Sequence, residues 1–244
     1  MTRIAAARAA AWAAPGTLLL FTGIAVVLVR QNGWHTYPQW YDSTDFIVRW
    51  FAENRTTSIW LALVGNVYAL VLVWLTIDLT RLLGGPGGRG GTAVHALTPM
   101  ALVWTGGFFA AGVFWVAAST AGSSESHFAA PDLVRLSFEV SIGFWLSAQT
   151  ALGVLMLCAA AAVRSAGLFP PWTVRSAALL GVVNLLGTAA LFVDRGPFAP
   201  SGWLSGLPNC LAWIWFAAVA VLMKGATYRS ARASAHPRPS SGKG

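Results

Sequence analysis

Charge is the scarcest property of this 244-residue chain: Asp, Glu, Lys and Arg together make up only 10% of it. Soluble domains carry about 25% charged residues. Here the apolar share is 56% and the mean hydropathy is +0.62. So few charges cannot cover a water-facing surface, which excludes a soluble enzyme, a nucleic-acid-binding domain and a disordered regulator. What remains is a membrane protein. Cysteine is nearly absent too, with only Cys158 and Cys210. Two cysteines exclude a disulfide scaffold and a Cys-rich metal site. Helical rise separates their depths by on the order of 15 Å, too far for a disulfide. Histidine is equally sparse: His35, His127 and His236 lie in polar connections or the tail, and His95 just precedes an apolar segment. None sits mid-segment, where a buried haem needs its axial ligands, so neither a cofactor nor a metal is indicated.

What the chain has is long apolar runs. Crossing a hydrocarbon core of about 30 Å takes about 20 residues, and six stretches qualify: 10–29, 58–82, 97–118, 138–163, 174–193 and 203–223. Arg3 and Arg8 precede the first, which resembles a signal peptide. Its apolar run is longer than an h-region and no small-residue cleavage site follows, so it reads as a retained first span. The expected fold is therefore all-α: a six-helix transmembrane domain over 1–225, followed by a basic, disordered tail over 226–244.

Orientation follows from Lys and Arg in the connections. With a cytoplasmic N-terminus the inner side carries Arg3, Arg8, Arg81, Arg89, Arg164, Arg175, Lys224, Arg229, Arg232, Arg238 and Lys243. The outer side keeps Arg30, Arg49, Arg55, Arg135 and Arg195, together with Asp42, Asp45, Glu53, Glu125, Asp132, Glu139 and Asp194. Both termini are thus placed in the cytoplasm, and the expected location is the inner membrane of a bacterium. The net charge of +8 fits a tail resting on anionic lipid and not nucleic acid. Membrane lipids are its expected partners. The glycine run at 84–91 has no Lys-Ser/Thr after it and reads as a flexible link. Prolines punctuate the starts: Thr98-Pro99, Pro131 and Pro170-Pro171 each mark a helix beginning.

The longest outer connection holds Phe46, Ile47, Trp50 and Phe51 on one helical face, with Asp45, Arg49 and Glu53 opposite. This predicts a short amphipathic helix on the outer surface, either an interfacial anchor or a lid over the bundle mouth. Deeper in the membrane, four amides fall at similar depth, about 9–15 Å below the outer face by helical rise. They are Asn66, Gln149, Asn184 and Asn209. Buried amides either hydrogen-bond helix to helix as packing glue or line one pocket. The acids Asp42, Asp45, Glu139 and Asp194 ring the outer end of that pocket, each with a local alternative. Asp45, Arg49 and Glu53 are spaced as a ladder, as are Asp132, Arg135 and Glu139, and Asp78 precedes Arg81 by three. Asp194 at a helix C-terminus opposes the macrodipole. The chain has 13 Trp. An interfacial belt accounts for most of them, but Trp104, Trp145, Trp213 and Trp215 lie deeper. Small residues at Gly106/Ala110, Gly107/Ala111 and Gly153 with 159–162 let helices approach closely.

From about Ala151 onward the chain resembles a family of small six-helix bacterial membrane proteins of unknown function. The likeness is carried by Leu152-Gly153, Arg164-Ser165, Leu168-Phe169-Pro170, Trp172, Leu180-Gly181, Leu207-Pro208, Trp213 or Trp215, and Lys224-Gly225. It implies topology and supplies no catalytic residues. In size and all-helical makeup the chain is also similar to integral-membrane terpene cyclases, and its Ala-, Gly- and Arg-rich composition resembles that of an actinobacterium. The activity this likeness implies is acid-initiated cyclisation of a prenylated, lipid-soluble small molecule, without a cofactor. Asp45, Glu139, Asp194 and Asp42 are then the candidate acids or bases. Trp145 and Trp213 are the cation-facing rings, and Asn66, Gln149, Asn184 and Asn209 hold the substrate. The competing expectations are an accessory subunit of a membrane complex and a transporter of small solutes or lipids.

Overall fold

The computed structural model describes residues 38–84, 91–122, 130–196, 198–200 and 203–235, with the side chains of 203–205 and 226–235 outside the description. The first apolar stretch, 10–29, lies outside the described residues. The elements are α1 (Thr44–Glu53), α2 (Arg55–Gly84), α3 (Val94–Ala121), α4 (Pro131–Ala166), α5 (Pro171–Gly187), a 3-10 turn (Thr188–Phe192) and α6 (Trp203–Ala235). No strand occurs among the described residues.

Local chemistry sets most of these boundaries. The Ser43 hydroxyl accepts from the Phe46 amide at 3.3 Å and caps α1, as serine does at an N-cap. Asn54 breaks the chain between α1 and α2, its backbone and side-chain nitrogens both donating to the Trp50 carbonyl at 2.9 Å. Pro131 and Pro171 stand in the first turns of α4 and α5, where a missing N–H costs nothing. Gly167 ends α4 at φ 63°, a left-handed turn that favours glycine.

Two expected boundaries move. Thr98-Pro99 does not start α3: the helix begins at Val94, with tight turns from His95 to the Thr92 carbonyl and from Ala96 to Ala93. Proline is tolerated near a helix start, so Pro99 marks only the neighbourhood of this one. Thr98 instead bonds Thr80 of α2 across the interface at 3.2 Å. The fifth stretch does not stay α-helical to 193 either. It changes after Gly187 to a 3-10 turn, whose Thr188 hydroxyl is hydrogen-bonded to Thr150 of α4 at 2.8 Å. Asp194 therefore lies beyond the helix end, in an exposed connection.

The five helices α2 to α6, with α5 extended by its 3-10 turn, are each long and apolar enough to cross a membrane. The chain is a multi-pass membrane protein. Of the tail assigned to 226–244, the backbone is helical to Ala235 and the rest lies outside the described residues. The most buried helix is α4, with 67% of its most apolar window inside the protein, and α3 and α5 flank it. Its 36 residues rise about 54 Å, well past a hydrocarbon core of about 30 Å. Leu72, Leu79, Leu97, Trp104, Leu152 and Leu155 fill the larger core. A smaller core lies towards α1, built from Ile47, Phe51, Trp115, Phe138 and Leu146. Large side chains such as Trp60, Leu70, Trp74 and Phe192 stay exposed, as lipid-facing positions do.

Candidate functional site

Charge is concentrated beside α1. The Arg135 guanidinium pairs with Glu139 one turn along α4. The same side chain donates to the Asp42 carbonyl and, at 2.8 Å, to the Trp40 carbonyl. One arginine thus fastens the approach to α1 onto the start of α4. The Asp42 carboxylate accepts from the Gln39 amide at 2.7 Å, which folds that approach into a turn. With the chain so held, Ile47, Trp50 and Phe51 of α1 press against the bundle and are at most 5% exposed, whereas Phe46 stays on the surface. Trp50, Phe51, Trp115 and Phe138 meet mostly edge to face, with centroids 5.0–6.1 Å apart. Such tilted contacts are the favoured aromatic geometry. Trp145 packs beside this nest, and a methyl group at Gly206 of α6 would sit 3.3 Å from its ring.

The four candidate acids occupy different settings. Glu139 and Asp42 are half-buried and engaged as just described, while Asp45 and Asp194 are exposed. A shallow groove lined by Phe46, Arg49, Trp50, Glu53 and Asn54 runs along α1. Among the described residues no three His, Cys, Asp or Glu side chains gather as a metal site requires.

The amides lie deeper and diverge in direction. Asn66 turns to α3, where a methyl group at Gly112 would meet its Oδ1 at 2.9 Å. Gln149 is fully buried on α4, facing Gly187 of α5. Asn184 of α5 is also fully buried; its Nδ2 donates to its own helix at Leu180 (2.8 Å) and to the Pro208 carbonyl of α6 (3.3 Å). Those two bonds fix which end of the amide is nitrogen, so the free end is the oxygen. Asn209, the next residue on α6, is 2% exposed. One turn further, the Trp213 ring lies over Tyr68 of α2, with centroids 4.3 Å apart and planes 39° apart. Phe108 of α3 approaches Trp213 at 6.3 Å.

The stretch 208–213 of α6 thereby becomes a meeting point for α2 and α5. Four polar atoms there are buried without a hydrogen-bond partner: Tyr68 Oη, Asn184 Oδ1, Asn209 Oδ1 and Trp213 Nε1. Asn184, Asn209 and Trp213 were legible as candidates. Tyr68 was not, although a hydroxyl in the middle of an apolar segment is a signal in itself. Arg135 was legible only as a partner of Glu139.

No protein-family model, curated protein or solved structure matches the chain. The short motifs of the C-terminal part have local reasons instead. Gly153 and Gly181 are the close approach of α4 and α5. The Pro208 carbonyl takes the Asn184 bond, and Trp215 donates to the Thr173 carbonyl at 3.0 Å, tying α6 to the start of α5.

Proposed function

We propose that this protein holds a lipid-soluble, prenylated small molecule at the junction of α2, α5 and α6. The observation that carries this reading is the set of unpartnered polar atoms on Tyr68, Asn184, Asn209 and Trp213, next to the rings of Tyr68, Trp213 and Phe108. An unmade hydrogen bond on a buried group costs about 1–3 kcal/mol, and hydrocarbon offers no water to relieve it. A guest with an apolar body and one polar end supplies the missing partners, and it reaches the site from the bilayer. The test is solvent extraction of the purified protein followed by mass spectrometry. The expected result is a non-phospholipid prenylated compound near one per chain, depleted in Asn184→Leu. Recovery of annular phospholipid alone refutes the reading.

A second reading, cyclisation of such a guest, draws support from Glu139 and Asp42, half-buried and joined through Arg135 at the α1 end of the protein, the end that also holds the Trp50, Phe51, Trp115 and Phe138 rings. In that chemistry an acid proton adds to a terminal alkene or epoxide and carbon–carbon bonds close the rings. The last cation then returns a proton to a carboxylate, so the product is an isomer of the substrate. Glu139 is the first candidate acid, because Asp45 and Asp194 are exposed; the Arg135 contact would have to release it. A new retention time at unchanged mass, lost in Glu139→Gln, is the expected outcome. Linear prenylated phenols, indoles and quinols recovered unchanged exclude it.

For orientation we place the α1 end outside the cytoplasm, with six spans, both termini cytoplasmic, in the inner membrane of a bacterium. The support is the distribution of Lys and Arg along the sequence: on this topology 11 of the 16 fall on the cytoplasmic side and five, Arg30, Arg49, Arg55, Arg135 and Arg195, on the other, the bias that the positive-inside rule describes.

A further inference from the structure

We infer that the molecule held at this junction presents a free hydroxyl on a ring, as a phenol does, and is recognised by donating as well as accepting. The inference rests on the reading that the junction holds a lipid-soluble guest, and it fixes the guest's polar end. The unpartnered atoms are of three kinds: Asn184 Oδ1 and Asn209 Oδ1 can only accept, Trp213 Nε1 can only donate, and the Tyr68 hydroxyl does either. Asn184 and Asn209 are 0% and 2% exposed, so bulk solvent does not serve them.

The three common polar ends of lipid-soluble molecules fit this set differently. A carboxylate or phosphate brings acceptors only and would face two amide oxygens with no proton between. An ammonium brings donors only and leaves the Trp213 N–H unmatched. A hydroxyl donates one hydrogen bond and accepts two, so a single group answers an amide oxygen and the indole N–H together. Asn209 and Trp213 stand one turn apart on the same face of α6. The polar atoms of Tyr68 and Trp213 belong to rings that pack on one another at 4.3 Å, with Phe108 6.3 Å from Trp213, so the surroundings are aromatic, as a ring-bearing guest favours.

The test compares 4-geranylphenol with its O-methyl ether, titrated into the purified full chain in lipid nanodiscs and read by native mass spectrometry. The ether keeps the ring, the prenyl chain and an acceptor oxygen, and lacks only the donated proton. The expected result is one saturable equivalent of the phenol, with the ether weaker by at least about fivefold, the factor one neutral hydrogen bond carries. In Asn209→Leu the preference for phenol over ether shrinks. In Trp213→Phe both ligands weaken together and the preference survives. Equal binding of phenol and ether by the unaltered protein overturns the donor inference and leaves the ligand-holding reading standing. If neither ligand saturates, both fall. Should Asn209→Leu fail to fold, the comparison of phenol and ether on the unaltered chain decides the matter alone.

Discussion

Two alanine substitutions in the same helix should act in opposite directions. Gly153 of α4 faces α5 so closely that a methyl group there would lie 2.8 Å from Leu185 Cγ and 2.9 Å from the Gly181 carbonyl oxygen. Gly181 returns the contact, its methyl position lying 2.7 Å from Leu157 Cγ and 3.0 Å from the Gly153 carbonyl. Comfortable carbon contacts need about 3.5–4.0 Å. Leucine ends can rotate, but a backbone carbonyl moves only with its helix, so Gly153→Ala must push α4 and α5 apart. Overpacking of this kind costs about 1–3 kcal/mol, against a gain of about 1 kcal/mol from replacing a helical glycine with alanine. The net expectation is a loss of up to about 2 kcal/mol. Gly143 of α4 has nothing within 4 Å of its methyl position, so Gly143→Ala collects the helical gain alone. In a domain of this size about 2–4 °C of melting temperature accompanies each kcal/mol. Thermal unfolding in micelles, followed by helical circular dichroism, should show Gly153→Ala melting below and Gly143→Ala above the unaltered protein. If the two variants shift the midpoint alike, α4 and α5 do not cross at these glycines and the packing argument fails.

Other outcomes follow from single contacts. Arg135→Met removes the ties to the Trp40 and Asp42 carbonyls and the pair with Glu139, costing on the order of 2–3 kcal/mol; hydrogen exchange should rise over 43–54 and stay unchanged in the middle of α4. Arg135→Lys should restore little of that protection, since a single ammonium lacks the forked reach of a guanidinium. Replacing Thr150 and Thr188 by valine, singly and together, should give a coupling of about 0.6 kcal/mol, the size typical of hydrogen bonds between membrane helices; additive losses would mean that the 2.8 Å contact contributes nothing. Trp115→Ala opens a cavity in the aromatic nest beside α1 and should cost about 3–5 kcal/mol. A melting midpoint within a degree of the unaltered protein would show the nest to be loosely packed.

Hydropathy made α2 to α6 legible because each apolar run exceeds what a soluble helix needs, and length alone carries that signal. Direction around the helix axis is weaker in a membrane, where residues facing lipid and residues facing protein are alike apolar. Gly106 and Gly107 show this: the two read as equal packing positions, yet Gly107 meets Ala148 of α4 and Gly106 meets nothing within 4 Å. On α1 the apolar spacing is readable in the sequence, and the buried side chains are narrower than that face. Ile47, Trp50 and Phe51 form the buried stripe at i, i+3 and i+4, and Phe46 beside it is 36% exposed. The Arg135–Glu139 pair was readable from its spacing of four. The bonds from Arg135 to residues 93 and 95 positions away leave no trace in local sequence.

The amides divide along the same line. Counting residues gave all four a comparable depth, but depth is a single coordinate, and their directions separate them. Asn66 and Tyr68 stand two residues apart on α2, about 200° around the helix, so the first reaches Gly112 and the second reaches Trp213. Asn184 and Asn209 come together because α5 and α6 are joined at the Pro208 carbonyl, a contact that neither residue's own neighbours specify. The division of chemistry between the two ends follows the cost of burial. A guanidinium–carboxylate pair keeps its attraction and its partial hydration at the half-buried rim, where its work is to hold α1. At depth the same charges would be far more expensive to desolvate, and neutral amides, an indole and a phenol are what the bilayer permits. On the proposed reading, neutral groups left unpaired there would discriminate among guests by the direction of a proton, which makes the decisive contrast a phenol against its ether and not an acid against its amide.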